Sequence, residues 1–457
     1  MSSNKLVVRK VAVLGAGVMG AQIAAHLANA KVPTVLFDLP AKEGPKNAIV
    51  EKALAALKKQ KPAPLASKTA IHYIQAANYD DDLALLGECD LVIEAVAERL
   101  DIKENLYSKV APHLGAKTIF ATNTSGLSIE TLASVFSQEL KHRFCGVHFF
   151  NPPRYMHLVE LIACKETDAA VLDNLERFLV STLGKGVVRA KDTPNFVANR
   201  IGVFSMLATM ANAEKYDLRF DVVDDLTGAR LGRPKSATFR TADVVGLDTF
   251  AHVAKTMQDN LQADPWHAHF GLPTWLTGLI EKGLLGSKTK AGIFKKEGKR
   301  IFVLDPKAGD YVASNEKADK AVTELLKAPT WGEKLAALRA SEHPQAQFLW
   351  ACMRDVFHYI AVHAKDIAHN ARDIDFAIRW GFGWDMGPFE IWQAAGWKQV
   401  AEWINEDIAA GKALSNAPLP AWVSDGRDGV HADAGSLNFT TLQAEGRSDL
   451  DVYQRQY

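Results

Sequence analysis

The sequence has little cysteine, and its few cysteines are far apart. Its 457 residues include only four, Cys89, Cys145, Cys164 and Cys352. None of them falls in a CxxC or Cys/His spacing that would hold a zinc ion. The pattern predicts neither a disulfide framework nor a metal site. It favours a reducing compartment, and we expect a cytoplasmic protein.

The sequence also has no net charge. Its 53 Lys and Arg residues balance 53 Asp and Glu residues. Such a chain offers no basic field to nucleic acid or to an anionic membrane, so neither partner is expected.

At roughly 100–200 residues per domain, the length predicts two to four domains, each able to bury its own core.

Long apolar runs are missing as well, although one stretch imitates a signal peptide. Between Lys10 and Lys31 there is no acidic or basic side chain other than His26, and the stretch ends in Ala28-Asn29-Ala30. Small residues of this kind precede a cleavage site. Three glycines, together with Gln22 and His26, interrupt the stretch too often for a membrane span of about 20 apolar residues. We therefore expect no membrane span, and a glycine turn explains the stretch better.

A strand, a glycine turn, a helix and a second strand open the chain. The segments are a Val-rich strand over Leu6–Leu14, the turn Gly15-Ala16-Gly17-Val18-Met19-Gly20, a helix over Ala21–Ala30, and a strand over Thr34–Phe37 that ends at Asp38. In such a unit the first glycine allows the tight turn and the second lets a pyrophosphate approach the backbone. The third lets the helix pack on the strand, and the helix N-terminus faces the phosphates.

Asp38 predicts the type of dinucleotide. It lies 23 residues after Gly15, where a carboxylate accepts hydrogen bonds from a ribose hydroxyl and repels a 2′-phosphate. This favours NAD over NADP. A lone glycine motif is also compatible with an ordinary strand-to-helix turn, but here both strands and the acidic residue occur at the required positions.

Further buried strands are predicted over Asp90–Ala95 and Thr118–Thr122. In a doubly wound parallel sheet, ligands bind outside the carboxyl ends of the strands. The polar residues that follow these two strands are therefore expected at the cofactor edge: Glu98, Asn123, Thr124 and Ser125.

Two apolar strands around a proline turn bring a histidine and a glutamate together. If residues 146–162 pair as an antiparallel hairpin about Arg154, His148 lies opposite Glu160. A carboxylate on one imidazole nitrogen fixes the tautomer and stabilises the imidazolium, so the other nitrogen can take a proton from substrate. A purely structural histidine is the alternative, and the spacing alone leaves both open. His157 is a weaker candidate because no carboxylate opposes it.

At this point the sequence resembles the L-3-hydroxyacyl-CoA dehydrogenases of fatty-acid β-oxidation. The matching motifs occur in family order and span most of residues 6–250. They are GAGVMG at 15–20, Asp38, IEAVAE at 93–98 followed by Lys103, ATNTSGLSI at 121–129, GVHFFNPP at 146–153, LVELI at 158–162 and DTPNFVANRI at 192–201.

The resemblance implies an activity and a set of site residues. The activity is NAD-dependent oxidation of (S)-3-hydroxyacyl-CoA to 3-ketoacyl-CoA. The residues implied to line the NAD site are Gly15, Gly17, Met19, Gly20 and Asp38, with Val96, Ala97, Glu98, Lys103, Asn123 and Asn151 nearby. By the same resemblance, His148 is the catalytic base, Glu160 orients it, and Ser125 and Asn199 bind the reacting oxygen.

The sequence departs from the family pattern at two places. Asn195 stands where the family usually has Gly, so the turn after Pro194 is expected to differ in shape. KSATF at 235–239 replaces the MGPFE element of the family in the first helical half, which leaves the acyl chain length open.

An internal repeat accounts for the remaining length. Gly232 to Phe239, with Gly246 beyond, corresponds to Gly383 to Phe389, with Gly396 beyond, and a helical apolar pattern precedes each copy. By resemblance to multifunctional β-oxidation proteins, these are tandem helical domains. The fold class expected is an α/β, doubly wound Rossmann-type domain followed by two mostly α-helical domains. The limits are 1–190 for the NAD-binding domain, 191–296 for the first helical domain, 297–345 for a connector, 346–414 for the second repeat and 415–457 for an extended tail.

The repeat also predicts the partners. Single-repeat relatives pair through the helical domain, and a tandem copy fills that contact within one chain, so we expect a monomer or a weak dimer.

The terminal SDLDVYQRQY resembles the run-up to a hydratase module. One alternative function is therefore the dehydrogenase part of a bifunctional hydratase/dehydrogenase. Association with a separate hydratase or thiolase is a further expectation. Another alternative is a non-catalytic NAD or acyl-CoA binding homologue. β-Hydroxyacid dehydrogenases that use a catalytic lysine are disfavoured, because they lack the His148 and Glu160 motifs.

Overall fold

The computed structural model describes residues 7–454 as two compact units. The first unit runs to Phe196 and includes the final described residues from Arg447. The second unit runs from Val197 to Gly446. Leu6, part of the first predicted strand, and the last three residues of the predicted tail lie outside the described residues.

The first unit alternates strands and helices. Its elements are β1 Val11–Leu14, α1 Val18–Asn29, β2 Thr34–Asp38, α2 Ala48–Leu57, β3 Ile74–Asn78, β4 Leu91–Glu94, α3 Leu100–Val110, β5 Ile119–Thr122, α4 Ile129–Ala133, α5 Gln138–Lys141, β6 Phe144–Phe149, β7 Leu158–Ala163, α6 Ala169–Ser181 and β8 Gly186–Ala190. The predicted strands over residues 34–38, 90–95 and 118–122 are confirmed to within one residue at each end.

These strands form one eight-stranded sheet in the order β3-β2-β1-β4-β5-β6-β7-β8. All neighbours pair in parallel except β6 and β7. The strand order reverses between β1 and β4, which is the switch point where doubly wound sheets bind dinucleotides. The sheet therefore has the predicted Rossmann-like topology.

The first strand is shorter than the sequence predicts. Its pairing begins at Val11 rather than before it. The backbone amides of Arg9 and Lys10 donate to the carboxylate of Asp90, at 2.7 and 3.2 Å, instead of joining the sheet ladder. An aspartate at the start of the neighbouring strand thus fixes where β1 begins.

The second unit is mostly helical. Its elements are α7 Ala198–Lys215, α8 Phe220–Thr227, α9 Phe239–Val245, α10 Leu247–Asn260, α11 Thr274–Glu281, β9 Phe294–Glu297, β10 Arg300–Asp305, β11 Asp310–Ala313, α12 Lys320–Leu325, α13 Trp331–Ala340, α14 Pro344–Ile367, α15 Ala371–Phe382, α16 Pro388–Ala394, α17 Trp397–Ala409, β12 His431–Ala432, β13 Gly435–Leu437 and β14 Ala444–Glu445. The stretch predicted as a connector contains β10, β11, α12 and α13. The stretch predicted as an extended tail contains β12 to β14 and, in the first unit, a final turn α18 Asp451–Gln454.

The two halves of the second unit share backbone features at corresponding positions. Gly232 and Gly383 both adopt left-handed φ angles, 67° and 69°. Gly246 and Gly396 follow with φ of 98° and 100°. These matching turns occur where the sequence repeat aligns the two copies.

All four cysteines are buried and free. Cys164 lies near Glu130 and Glu166. The Cys164 sulfur and one carboxylate oxygen of each glutamate, all potential metal ligands, lie within 4.8 Å of one another. Among the helices of residues 7–454, none combines the length and apolar character that crossing a membrane requires.

Candidate active site at the end of the parallel strands

The glycine turn after β1 has three glycines in different surroundings. Gly15 has a φ of +102°, and a Cβ there would lie 2.8 Å from the carbonyl oxygen of Ala95. A Cβ on Gly20 would lie 1.8 Å from the carbonyl oxygen of Gly15, so only glycine lets α1 pack on the turn. A Cβ on Gly17 would meet nothing within 4 Å. The open space at Gly17 is where a pyrophosphate can approach the backbone.

Helix α1 begins directly after Gly17, with Met19 in its first turn and no acidic residue there. Its first backbone amides lack partners within the helix and favour an anion. Asp38, at the end of β2, braces this turn: Oδ2 accepts the amide of Ala16 at 2.6 Å and Oδ1 accepts that of Leu39 at 2.7 Å. Each carboxylate oxygen has a second lone pair, so Asp38 can still accept a ribose hydroxyl.

Glu98 organises the loop after β5. Its Oε1 accepts the hydroxyl of Thr124 at 2.5 Å and the backbone amides of Ser125 and Gly126, both at 2.9 Å. Burial opposes ionisation, yet the ammonium of Lys103 and these donors lower the pKa of Glu98 below its ordinary value. An ionised Glu98 thus holds the half-buried Ser125 in place.

Lys103 is fully buried on α3, where it bonds to Glu94 at 2.6 Å. Sequence reasoning missed Glu94, although it lies inside the motif at 93–98. An acidic residue inside an otherwise apolar strand was the signal, because a buried carboxylate requires partners. Val96 donates its amide to the same carboxylate at 2.7 Å, while Ala97 is exposed.

The hairpin prediction is confirmed. His148 on β6 pairs with Glu160 on β7 in the antiparallel ladder. The Nδ1 of His148 lies 2.8 Å from Oε2 of Glu160, and Glu160 is fully buried. With Nδ1–H donating to this carboxylate, Nε2 has the lone pair that can take a proton. The ring packs against Phe150 and Phe196, with centroids 4.5 and 5.7 Å away.

Two asparagines flank this pair in the sequence pattern. Asn123, after β5, accepts the backbone amide of Phe149 through Oδ1 at 2.9 Å, which ties the cofactor edge to the histidine strand. Asn151 is exposed in the turn after β6. Their contact with a cofactor stays a prediction.

The segment after β8 shows why Asn195 is tolerated. Its φ is +64°, in the left-handed region that glycine prefers and that asparagine enters more readily than most residues. Asp192, which the sequence patterns did not predict as a site residue, caps α4. Its carboxylate accepts the backbone amides of Ile129 and Glu130, each at 2.9 Å. Asn199 lies in the first turn of α7 in the second unit and is half-buried. Its role also stays a prediction.

The chain matches known protein families over two consecutive ranges. Residues 10–193 match the model described as the NAD binding domain of 3-hydroxyacyl-CoA dehydrogenase, and residues 196–296 match its C-terminal domain. A Deinococcus radiodurans relative named "probable 3-hydroxyacyl-CoA dehydrogenase" is 42% identical over 290 residues, which cover 63% of this chain and 83% of the relative. The chain belongs to the 3-hydroxyacyl-CoA dehydrogenase family.

Two further comparisons extend beyond these domains. A Bacillus subtilis relative, also named "probable 3-hydroxyacyl-CoA dehydrogenase", is 41% identical over 433 residues, or 92% of this chain and 54% of the relative. The chain thus spans about half the length of that relative. A 3-hydroxybutyryl-CoA dehydrogenase structure from Escherichia coli shares the fold, with a TM-score of 0.65 at 22% identity over 89% of this chain and 95% of that one.

The residues of this 3-hydroxyacyl-CoA dehydrogenase family member fit NAD. The open space at Gly17 leaves room for a pyrophosphate, and Asp38 stands where the adenosine ribose lies in such sheets. Gly15, Gly20, Glu98 and Asn123 line the same carboxyl edge of the sheet.

Proposed function

We propose that this chain is an NAD-dependent dehydrogenase that oxidises (S)-3-hydroxyacyl-CoA to 3-ketoacyl-CoA in fatty-acid β-oxidation. The observation that carries the proposal is the 2.8 Å contact between His148 and Glu160 beside the cofactor edge. Family membership supports it, since relatives over most of the chain are named for this activity.

The residues suit the loss of a hydroxyl proton. His148 would take the proton at Nε2, and Glu160 would stabilise the imidazolium through Nδ1. Ser125 would hold the reacting oxygen and orient its carbon. NAD, when bound, supplies the hydride acceptor.

The proposal is tested by following NADH absorbance with acetoacetyl-CoA as substrate. We expect NADH consumption that depends on the CoA ester. Tight NADH binding without any turnover would favour the non-catalytic homologue instead and overturn the proposed activity.

Asp38 is expected to determine the preference for NAD over NADP. Replacing it by Asn removes the charge but keeps an oxygen that can accept the Ala16 amide, so the turn should persist. The preference in kcat/KM for NADH over NADPH should fall about ten- to hundredfold, because a nearby carboxylate repels a 2′-phosphate. Measuring kcat/KM with both cofactors checks this. Equal use of both by the wild type would contradict the role of Asp38.

We propose further that residues 346–414 repeat 191–296 and cover the face through which single-repeat relatives pair. Within the second unit, Gly232 lies beside Asp385, and Pro234 lies beside Gly383. Because Gly232 and Pro234 correspond to Gly383 and Asp385 in the repeat, each contact is the reciprocal of the other, as in a two-fold interface. A Cβ on Gly202 of α7 would lie 2.0 Å from the Phe382 ring, so this helix is closely covered.

The covered helix leads to a prediction about oligomeric state. Light scattering at micromolar concentration should give the mass of one chain, because the second repeat already occupies the pairing face. A tight dimer under these conditions would contradict the proposal.

A further inference from the structure

Glu94 is a buried carboxylate with an unusually complete set of donors. Its Oε1 accepts Lys103 Nζ at 2.6 Å and the Val96 amide at 2.7 Å. Its Oε2 accepts the hydroxyls of Tyr107 at 2.6 Å and Thr122 at 2.7 Å. The Glu94 side chain is 0% exposed and that of Lys103 is 1% exposed. Four donors satisfy an ionised carboxylate, which only accepts hydrogen bonds.

The same ammonium faces a second carboxylate. Lys103 Nζ lies 3.8 Å from Oε2 of Glu98, whose other oxygen holds the loop after β5. We call these three residues, Glu94, Lys103 and Glu98, the charge triad. The charge triad contains two negative groups and one positive group. One net negative charge remains, and solvent screens it only weakly because two of the three side chains are buried.

The position of the charge triad relates it to one half of the dinucleotide. The glycine turn and Asp38 follow β1 and β2, so the adenosine half belongs on that side of the switch point. The nicotinamide half would then lie toward the ends of β4, β5 and β6. Glu94 ends β4, Glu98 follows it, His148 lies on β6, and Lys103 reaches the two glutamates from α3. The oxidised nicotinamide ring is cationic and the reduced ring is neutral.

We propose that the charge triad raises the affinity for NAD⁺ relative to the affinity for NADH. Glu94 is a positioning residue that holds Lys103 in place, and it contributes one of the two negative charges. The inference rests on the proposed function, because it assumes that this edge binds NAD. At an effective dielectric constant near 20, a unit charge about 8–17 Å from the ring shifts the ratio of the two affinities about five- to thirtyfold.

The test measures dissociation constants for both cofactor forms without substrate. NADH binding is followed by its fluorescence, and NAD⁺ binding by competition, in the full chain. Glu94→Gln removes a negative charge and should raise the ratio of the NAD⁺ to the NADH dissociation constant at least about fivefold. Lys103→Met removes the positive charge and should lower that ratio by a similar factor. The double variant restores the net charge and should return the ratio close to the wild-type value.

Tyr107→Phe is the matched control, because it removes one donor to Glu94 without changing charge. It should leave the ratio unchanged even if the protein unfolds at a lower temperature. If Glu94→Gln does not fold, the other two variants still separate the outcomes, because Lys103→Met should lower the ratio and the double variant should keep it close to the wild-type value. If the variants weaken NAD⁺ and NADH binding equally, so that the ratio of the two dissociation constants stays at the wild-type value, the proposed role of the charge triad is overturned. A wild type that binds neither dinucleotide would instead contradict the proposed function.

Discussion

The His148→Ala variant is expected to turn over acetoacetyl-CoA with NADH about 10²- to 10⁴-fold more slowly than the wild type, the usual contribution of a positioned acid or base. The imidazole at the end of β6 is the group that would exchange a proton with the substrate oxygen, and Glu160 fixes its orientation. Because the ring would act on the substrate rather than on the dinucleotide, NADH affinity measured by fluorescence should change little.

His157→Ala is the matched control for this variant. His157 lies in the same hairpin segment, one residue before β7, but it is exposed. Its removal should leave turnover within a few-fold of the wild-type rate. Unchanged turnover in His148→Ala, measured with saturating NADH, would show that His148 is a structural histidine, the alternative that the spacing alone left open.

Alanine at Gly17 and at Gly20 should have opposite consequences for stability and cofactor binding. At Gly20 the new methyl group would lie 1.8 Å from a backbone oxygen, so the free energy of unfolding should fall by about 1–3 kcal/mol or more. At Gly17 the methyl group meets nothing in the protein, and the backbone angles, φ of −67° and ψ of −172°, suit alanine. Stability should therefore be unchanged at Gly17.

Cofactor affinity is where the Gly17→Ala variant should fail. The methyl group would occupy the space through which a pyrophosphate reaches the backbone amides, and each lost bond to a charged group costs about 1.5–3 kcal/mol. NADH binding should weaken about ten- to hundredfold while the melting temperature stays the same. Wild-type affinity in a stable Gly17→Ala protein would contradict the placement of the phosphates at this turn.

Local patterns in the sequence were sufficient to predict much of the cofactor edge. Strand boundaries at residues 34–38 and 118–122 follow from short apolar runs between polar residues. The pairing of His148 with Glu160 follows from a proline turn and from the fixed two-residue period of a strand. The same apolar patterns predict the coarse fold, a parallel sheet followed by helices, and the structure confirms it.

Other parts of the site depend on contacts between distant residues. No local pattern shows that Asp38 braces Ala16, or that Asp192 caps α4, more than 60 residues earlier in the chain. The role of Glu94 required knowing that Lys103, Tyr107 and Thr122 converge on it from α3 and β5. The start of β1 depended on Asp90, which competes for the amides of Arg9 and Lys10.

The most direct test of the dehydrogenase assignment is the oxidation of (S)-3-hydroxybutyryl-CoA by the wild-type chain with NAD⁺, followed as NADH absorbance. We predict NADH formation with the S enantiomer and none above background with the R enantiomer. No NADH formation with either enantiomer, in a protein shown to bind NADH, would contradict the assignment.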